Sequence, residues 1–147
     1  MASKVIKYLM TYVVWIADLG LALWFAYLCK TTLLGIFAFF YTGNVAYANA
    51  VNFIDKAFTI ALGLGWLAFM IIVEAYFRTS TTTGDLPRRF ANVTGPVLLG
   101  IFCVDLTLFW LQGGGVNWLR WLILAAELGG GIALIVSVKS QAKPNPN

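Results

Sequence analysis

Four charged side chains lie inside long apolar stretches of this 147-residue chain, and they are the residues most able to do chemistry there. Asp18, Asp105 and Glu127 each fall near the middle of such a stretch. Arg120 lies seven residues before Glu127, which is two helical turns, so the two would share a helix face. A charge at mid-bilayer is costly and usually faces protein or water. These four residues are our candidate intramembrane polar or ion site.

The three acids are predicted to lie at one depth. Asp18 and Asp105 each lie about ten residues from the inner edge of their stretch, and Glu127 about eleven, which is roughly 15 Å of helix in each case. Arg120 is the one basic residue on their faces, and one arginine cannot neutralise three carboxylates. We therefore expect the acids to serve either as hydrogen-bonded contacts between helices or as a path for protons or cations.

The elements that would position these residues are four apolar helices. The chain is 61% hydrophobic and 11% charged, whereas soluble domains are about 25% charged. Stretches long enough to cross a bilayer occupy residues 8–29, 57–77, 94–112 and 118–138. We predict an all-α integral membrane protein, a single domain over residues 1–147, with four transmembrane helices in an up-down bundle.

The region between the first two spans, residues 31–56, is predicted to be an outer interfacial segment. Its apolar run 33–41 is too short to span, and Gly43-Asn44 is a turn signal. Alternatively, the first two spans are longer helices forming a hairpin that turns at Gly43-Asn44. Either way an apolar tip results, which would be a lipid-interface aromatic belt or a docking patch for another subunit; its residues are Phe37, Phe39, Phe40 and Tyr41.

The remaining polar stretches predict the topology. Residues 78–95 are predicted to be a cytoplasmic loop, because Gly84 and Pro87 interrupt helical structure. Residues 139–147 are predicted to be a disordered tail. Cytoplasmic termini put seven basic residues inside and three outside, as the positive-inside rule requires of a protein in the cell membrane. The inner seven are Lys4, Lys7, Arg78, Arg88, Arg89, Lys139 and Lys143, and the outer three are Lys30, Lys56 and Arg120.

Several classes of function are disfavoured by composition. The sequence has no histidine, which excludes His-ligated zinc, bis-histidine haem and a histidine general base. No serine motif or metal-ligand cluster supplies a nucleophile with its base. We therefore expect no catalytic residue, no metal, no cofactor and no enzyme activity. The net charge is +4, but the basic residues lie at the ends of the apolar segments. Nucleic acid is therefore not an expected partner.

Two functions remain open at this point. The first is a non-catalytic subunit of a larger membrane complex, in which the acids are polar contacts between helices and the partners are the bilayer and other membrane subunits. The second is a small homo-oligomeric transporter or channel coupled to protons or cations. A membrane enzyme is a third and weaker interpretation, because no reactive constellation supports it.

Overall fold

The computed structural model describes residues 2–41, 43, 45–114 and 118–141, and within these ranges it contains five helices and no strand. Four of the helices are long and apolar enough to cross a membrane. This confirms the all-helical class and the number of apolar helices. The helices are α1 (Ala2–Phe39), α2 (Val45–Arg78), α3 (Ser80–Thr83), α4 (Leu86–Leu111) and α5 (Trp118–Gln141).

Helices α1 and α2 are much longer than the spans predicted from the sequence. They contain 38 and 34 residues, whereas a hydrocarbon core about 30 Å thick needs only about 20. Residues 31–56 are helical at both ends, with a turn between the helices in which Gly43 has a φ of 80°. This is the long-hairpin alternative, and it arises because residues 31–39 contain no proline to stop α1.

Residues 78–95, predicted to be a loop, are also largely helical. The single turn of α3 ends at Gly84, which has a φ of 75° and donates its N–H to the Ser80 carbonyl at 2.8 Å. Helix α4 then begins at Leu86, eight residues before the predicted start of the third span. Pro87 lies in its first turn, where a missing N–H costs no hydrogen bond. At the other end of the chain, α5 continues to Gln141, and residues 142–147 of the predicted tail lie outside the described residues.

The long helices form two antiparallel hairpins, α1–α2 and α4–α5. The hairpins are joined by α1 and α4, which run parallel, so that the order across the molecule is α2–α1–α4–α5. Helix α2 also approaches α4, and there the Asn92 amide donates to the Tyr76 hydroxyl at 3.4 Å. Among the described residues, no Cα atom of α5 lies within 8 Å of α1 or α2. Helix α5 therefore has its close backbone neighbours on α4.

The best-packed core lies between α1 and α4. Leu28 of α1 is buried against Ile101 and Leu108 of α4. Partly buried apolar residues from both helices surround them, namely Leu21, Phe25, Val97 and Val104. The Phe25 ring lies over Gly100, where an added Cβ would come within 3.2 Å of it. Van der Waals packing of these side chains holds the two hairpins together.

Hydrogen bonds from Arg89 link the start of α4 to the end of α2, and we call this group of contacts the polar clasp. The Arg89 guanidinium donates to Asp85 at 3.0 Å and to the Tyr76 carbonyl at 2.5 Å, and it also donates to the Thr79 hydroxyl. The same guanidinium lies 4.8 Å from the centre of the Tyr76 ring. The clasp therefore fixes the first turn of α4 against the end of α2.

The clasp should open at low pH. Hydrogen bonds from the Thr83 hydroxyl and from Arg89 hold the pKa of Asp85 below its usual value. Because the pKa of Asp85 is lower in the folded protein than in the unfolded chain, ionised Asp85 stabilises the fold. This stabilisation is complete above about pH 4 and is lost as the pH falls through the folded-state pKa. We expect amide hydrogen exchange of residues 80–89, corrected for intrinsic rates, to accelerate relative to α1 between about pH 5 and pH 2. Asp85→Asn should remove this dependence and Asp55→Asn should leave it; identical profiles for the two variants would contradict the assignment.

Candidate intramembrane polar site

Asp18 is the most deeply buried of the predicted site residues. Its side chain projects from α1 toward α4 and the residue is 1% exposed. The Thr94 hydroxyl donates to its Oδ1 atom at 2.6 Å. The other oxygen, Oδ2, is buried with no hydrogen-bond partner among the described residues. Asp18 is therefore a polar contact between the two central helices with one acceptor still unsatisfied.

Asp105 and Arg120 form an ion pair between α4 and α5. Nη2 of Arg120 lies 3.2 Å from Oδ1 of Asp105, and their side chains are 26% and 12% exposed. Nη1 of the same guanidinium donates to Oε1 of Gln112 at 2.6 Å. The guanidinium carbon is also 5.5 Å from the centre of the Phe109 ring. Arg120 thus connects the end of α4 to the start of α5 by several contacts at once.

Glu127 lies on α5 at a half-buried position next to this ion pair. It lies seven residues, or two helical turns, after Arg120 on the same helix. Its Oε2 atom is buried and has no hydrogen-bond partner among the described residues. Glu127 is therefore a half-buried acid of α5 that forms no ion pair within the described part of the chain.

The prediction that the three acids share one depth is wrong for Asp18. Asp18 lies opposite Thr94, and Thr94 precedes Asp105 by eleven residues on α4, which is about 16 Å of helix. The prediction failed because α4 begins at Leu86 rather than near residue 94. The molecule therefore has two separate polar sites, a deep one at Asp18 and one nearer the other end of the helices at Asp105, Arg120 and Glu127.

A close crossing of two glycines holds α5 against α4. A Cβ atom added to Gly131 would lie 2.8 Å from Leu99 Cδ2 and 3.3 Å from the Gly95 carbonyl oxygen. A Cβ added to Gly95 would lie 2.9 Å from Ile135 Cγ1. By contrast, a Cβ added to Gly129 would meet nothing within 4 Å. The sequence shows the three consecutive glycines, but only the structure shows which of them makes the contact.

The predicted aromatic tip lies at the turn between α1 and α2. Phe39 is 74% exposed, and Phe40 packs edge-on against it with ring centres 5.5 Å apart. Phe37 is half-buried, and its carbonyl accepts a hydrogen bond from the Tyr47 hydroxyl at 2.9 Å. Tyr41 is exposed and tilts against the Tyr47 ring. The tip is thus anchored on one side, while Phe39, Phe40 and Tyr41 face outward.

Sequence reasoning missed the neutral partners in these helix contacts. Thr94 gives no signal in the sequence, because a threonine in an apolar helix usually bonds to its own backbone. The indole N–H groups of Trp15 and Trp66 donate across the α1–α2 interface to the carbonyls of Met70 and Leu19, each at 3.3 Å. Such contacts depend on helix register, which hydropathy does not specify.

No group of three metal-ligating side chains comes together in the part of the chain that the structure describes. Comparison with known proteins finds no significant match to a protein-family model, to a curated protein or to a solved structure. The class that the fold defines is that of an all-helical chain with four candidate membrane-spanning helices, which indicates a multi-pass membrane protein.

Proposed function

We propose that this protein is a non-catalytic integral membrane subunit of a larger membrane protein complex, with its buried acids acting as polar contacts between helices. The observation that carries the proposal is the pairing of Asp18 with Thr94 and of Asp105 with Arg120. In each pair both partners belong to this chain and lie on different helices. Polar groups used in this way favour helix association in a membrane by about 0.6 kcal/mol each on average.

The spacing of basic residues supports a position across the cell membrane, and their excess on the side of the two termini supports cytoplasmic termini. Lys7 and Lys30 are 23 residues apart on α1, and Lys56 and Arg78 are 22 residues apart on α2. Each interval is roughly 34 Å of helix, close to the roughly 30 Å thickness of a hydrocarbon core. In this orientation the ends of α1 and α2 beyond Lys30 and Lys56 project from the outer surface and carry the aromatic tip.

The aromatic tip is the surface that we propose for a partner subunit. Phe39 and Phe40 are large apolar side chains that lie beyond Lys30 on α1 or at its end, outside the proposed hydrocarbon layer. Exposed apolar surface of this kind is costly in water and typically marks contact with protein or membrane. A partner with an extramembrane apolar surface would cover it.

Purification in mild detergent with identification of co-purifying proteins tests this function. We expect at least one membrane protein of different sequence, in fixed stoichiometry with this chain. The double substitution Phe39→Ala with Phe40→Ala should release that partner while the circular dichroism spectrum stays unchanged. Phe53→Ala is the matched control, because Phe53 is also 74% exposed but lies outside the tip. A chain that purifies alone from its native membrane, with no partner of different sequence, would refute the proposal.

The second candidate is a homo-oligomeric transporter or channel coupled to protons or cations. The observation in its favour is that Asp18 Oδ2 and Glu127 Oε2 are buried without a hydrogen-bond partner among the described residues. A proton or a cation would satisfy such an oxygen, and intramembrane acids commonly serve ion pathways.

Flux measurements in liposomes separate this candidate from the first. If the protein transports, Asp18→Asn and Glu127→Gln should each abolish proton or cation flux, and Asp85→Asn, just before α4 and outside both polar sites, should not. A wild-type protein that is folded and oriented in liposomes but carries no flux above empty vesicles would exclude the second candidate.

A further inference from the structure

An apolar groove of about 540 Å³ runs along the outside of the α1–α2 hairpin. Its floor contains Gly20 and Gly63, at each of which an added Cβ would meet nothing within 4 Å. One wall is formed by Trp24 and Tyr27, whose rings stack with centres 5.6 Å apart. Its size lies within the range of about 300–1,000 Å³ that is typical of small-molecule sites in proteins.

The two ends of the groove differ in chemistry. At one end lies Trp66, whose ring is fixed by the hydrogen bond from its indole N–H to the Leu19 carbonyl. At the other end lies Lys30, whose Nζ is 3.4 Å from Asp55 Oδ1 and whose side chain is 35% exposed. An ammonium group has three donors, so Lys30 can pair with Asp55 and still donate to a second anion.

The charge at this end favours an anion. Lys56 follows Asp55 in α2 and lies seven residues, or two helical turns, before Gly63 of the groove floor. Lys30, Asp55 and Lys56 together carry a net charge of +1. Basic residues at the membrane surface attract anionic lipid headgroups.

The length of the groove matches an acyl chain. Lys30 and Gly20 both line it and are ten residues apart on α1, which is about 15 Å along the helix. An occupant must therefore be apolar over about half the thickness of a hydrocarbon core and anionic at one end.

We propose that this groove binds one anionic phospholipid, with an acyl chain along Gly20 and Gly63 and the phosphate at Lys30. The lipid would fill the space between α1 and α2 that no side chain of the hairpin occupies. This site is separate from both polar sites and from the aromatic tip, and it does not depend on which of the two functions above is correct.

Native mass spectrometry of the full chain in mild detergent, titrated with phosphatidylglycerol or with phosphatidylcholine of the same acyl chains, tests the proposal. We expect the state with one bound lipid to form about fivefold more readily with phosphatidylglycerol. Gly63→Leu should place a side chain in the groove and remove that state. Gly65→Leu is the matched control, because Gly65 is equally open but does not line the groove.

A second pair of variants tests the phosphate contact. Lys30→Gln and Asp55→Asn both break the same ion pair, but only Lys30→Gln removes the cation. We expect Lys30→Gln to reduce phosphatidylglycerol binding to the level of phosphatidylcholine, and Asp55→Asn to keep or strengthen it.

Three results would overturn the site. The first is equal binding of the two lipids by the wild type, and the second is equal loss in the Gly63→Leu and Gly65→Leu variants. The third is a co-purifying polypeptide that Gly63→Leu alone displaces while lipid binding is unchanged, which would identify a partner helix as the occupant.

Discussion

Substituting Gly131 by alanine should destabilise the protein by about 1–2 kcal/mol, and by leucine about 3 kcal/mol, because both side chains overpack the crossing of α5 with α4. The new Cβ would lie 2.8 Å from Leu99 and 3.3 Å from the Gly95 carbonyl oxygen. The Leu99 side chain can rotate away, but the Gly95 backbone cannot move without shifting α4. Among the described residues, no Cα atom of α1 or α2 lies within 8 Å of α5, so we expect little compensation from other helices.

Unfolding of the purified protein, by heat or by titration with a denaturing detergent, measures this effect. Gly129 provides the matched control, since it is two residues away on the same helix and its added Cβ would meet nothing within 4 Å. Gly129→Leu should change stability by no more than about 0.5 kcal/mol. Equal destabilisation by the Gly131 and Gly129 variants would mean that the close crossing contributes nothing.

Arg120→Leu should destabilise the protein by about 2–3 kcal/mol. Removing one partner of a buried ion pair typically costs about 3–5 kcal/mol, because the other charge is left unpaired. We expect somewhat less here, since the Arg120 side chain is 26% exposed and solvent weakens the pair.

A double-mutant cycle gives this prediction its control. Combining Arg120→Leu with Asp105→Asn should recover more than half of the lost stability, because the stranded charge is removed together with its partner. Arg88→Leu, which removes an exposed arginine at the start of α4, should have little effect. If the double variant were no more stable than Arg120→Leu, the ion pair would not be the cause of the loss.

The sequence was sufficient to predict what depends on hydropathy alone. Four apolar helices were predicted and four are present in the described residues. The sequence also indicated that Arg120 shares a helix face with Glu127, but it did not identify a partner for the arginine. The partner is Asp105 on α4 rather than Glu127 on its own helix, because the helix-face argument applies only within one helix.

The depth of the acids could not be predicted, because it depends on where each helix begins and how helices are offset. Pro87 was interpreted as an interruption, yet in the first turn of α4 it is favourable. The predicted start of the third span was therefore eight residues too late, and the predicted depth of Asp105 was wrong with it. Apolar periodicity gives no information on the axial offset between parallel helices, so it could not predict the Asp18–Thr94 contact.

The division into two antiparallel hairpins has a consequence for how the protein is made. Each hairpin has internal contacts of its own, the indole hydrogen bonds in α1–α2 and the glycine crossing in α4–α5, so each could form before the two hairpins meet. The two hairpins then associate through the interface between α1 and α4, in which the Thr94 hydroxyl donates to Asp18. We therefore expect assembly to consist of the formation of two hairpins followed by one lateral association, with errors concentrated at the α1–α4 interface.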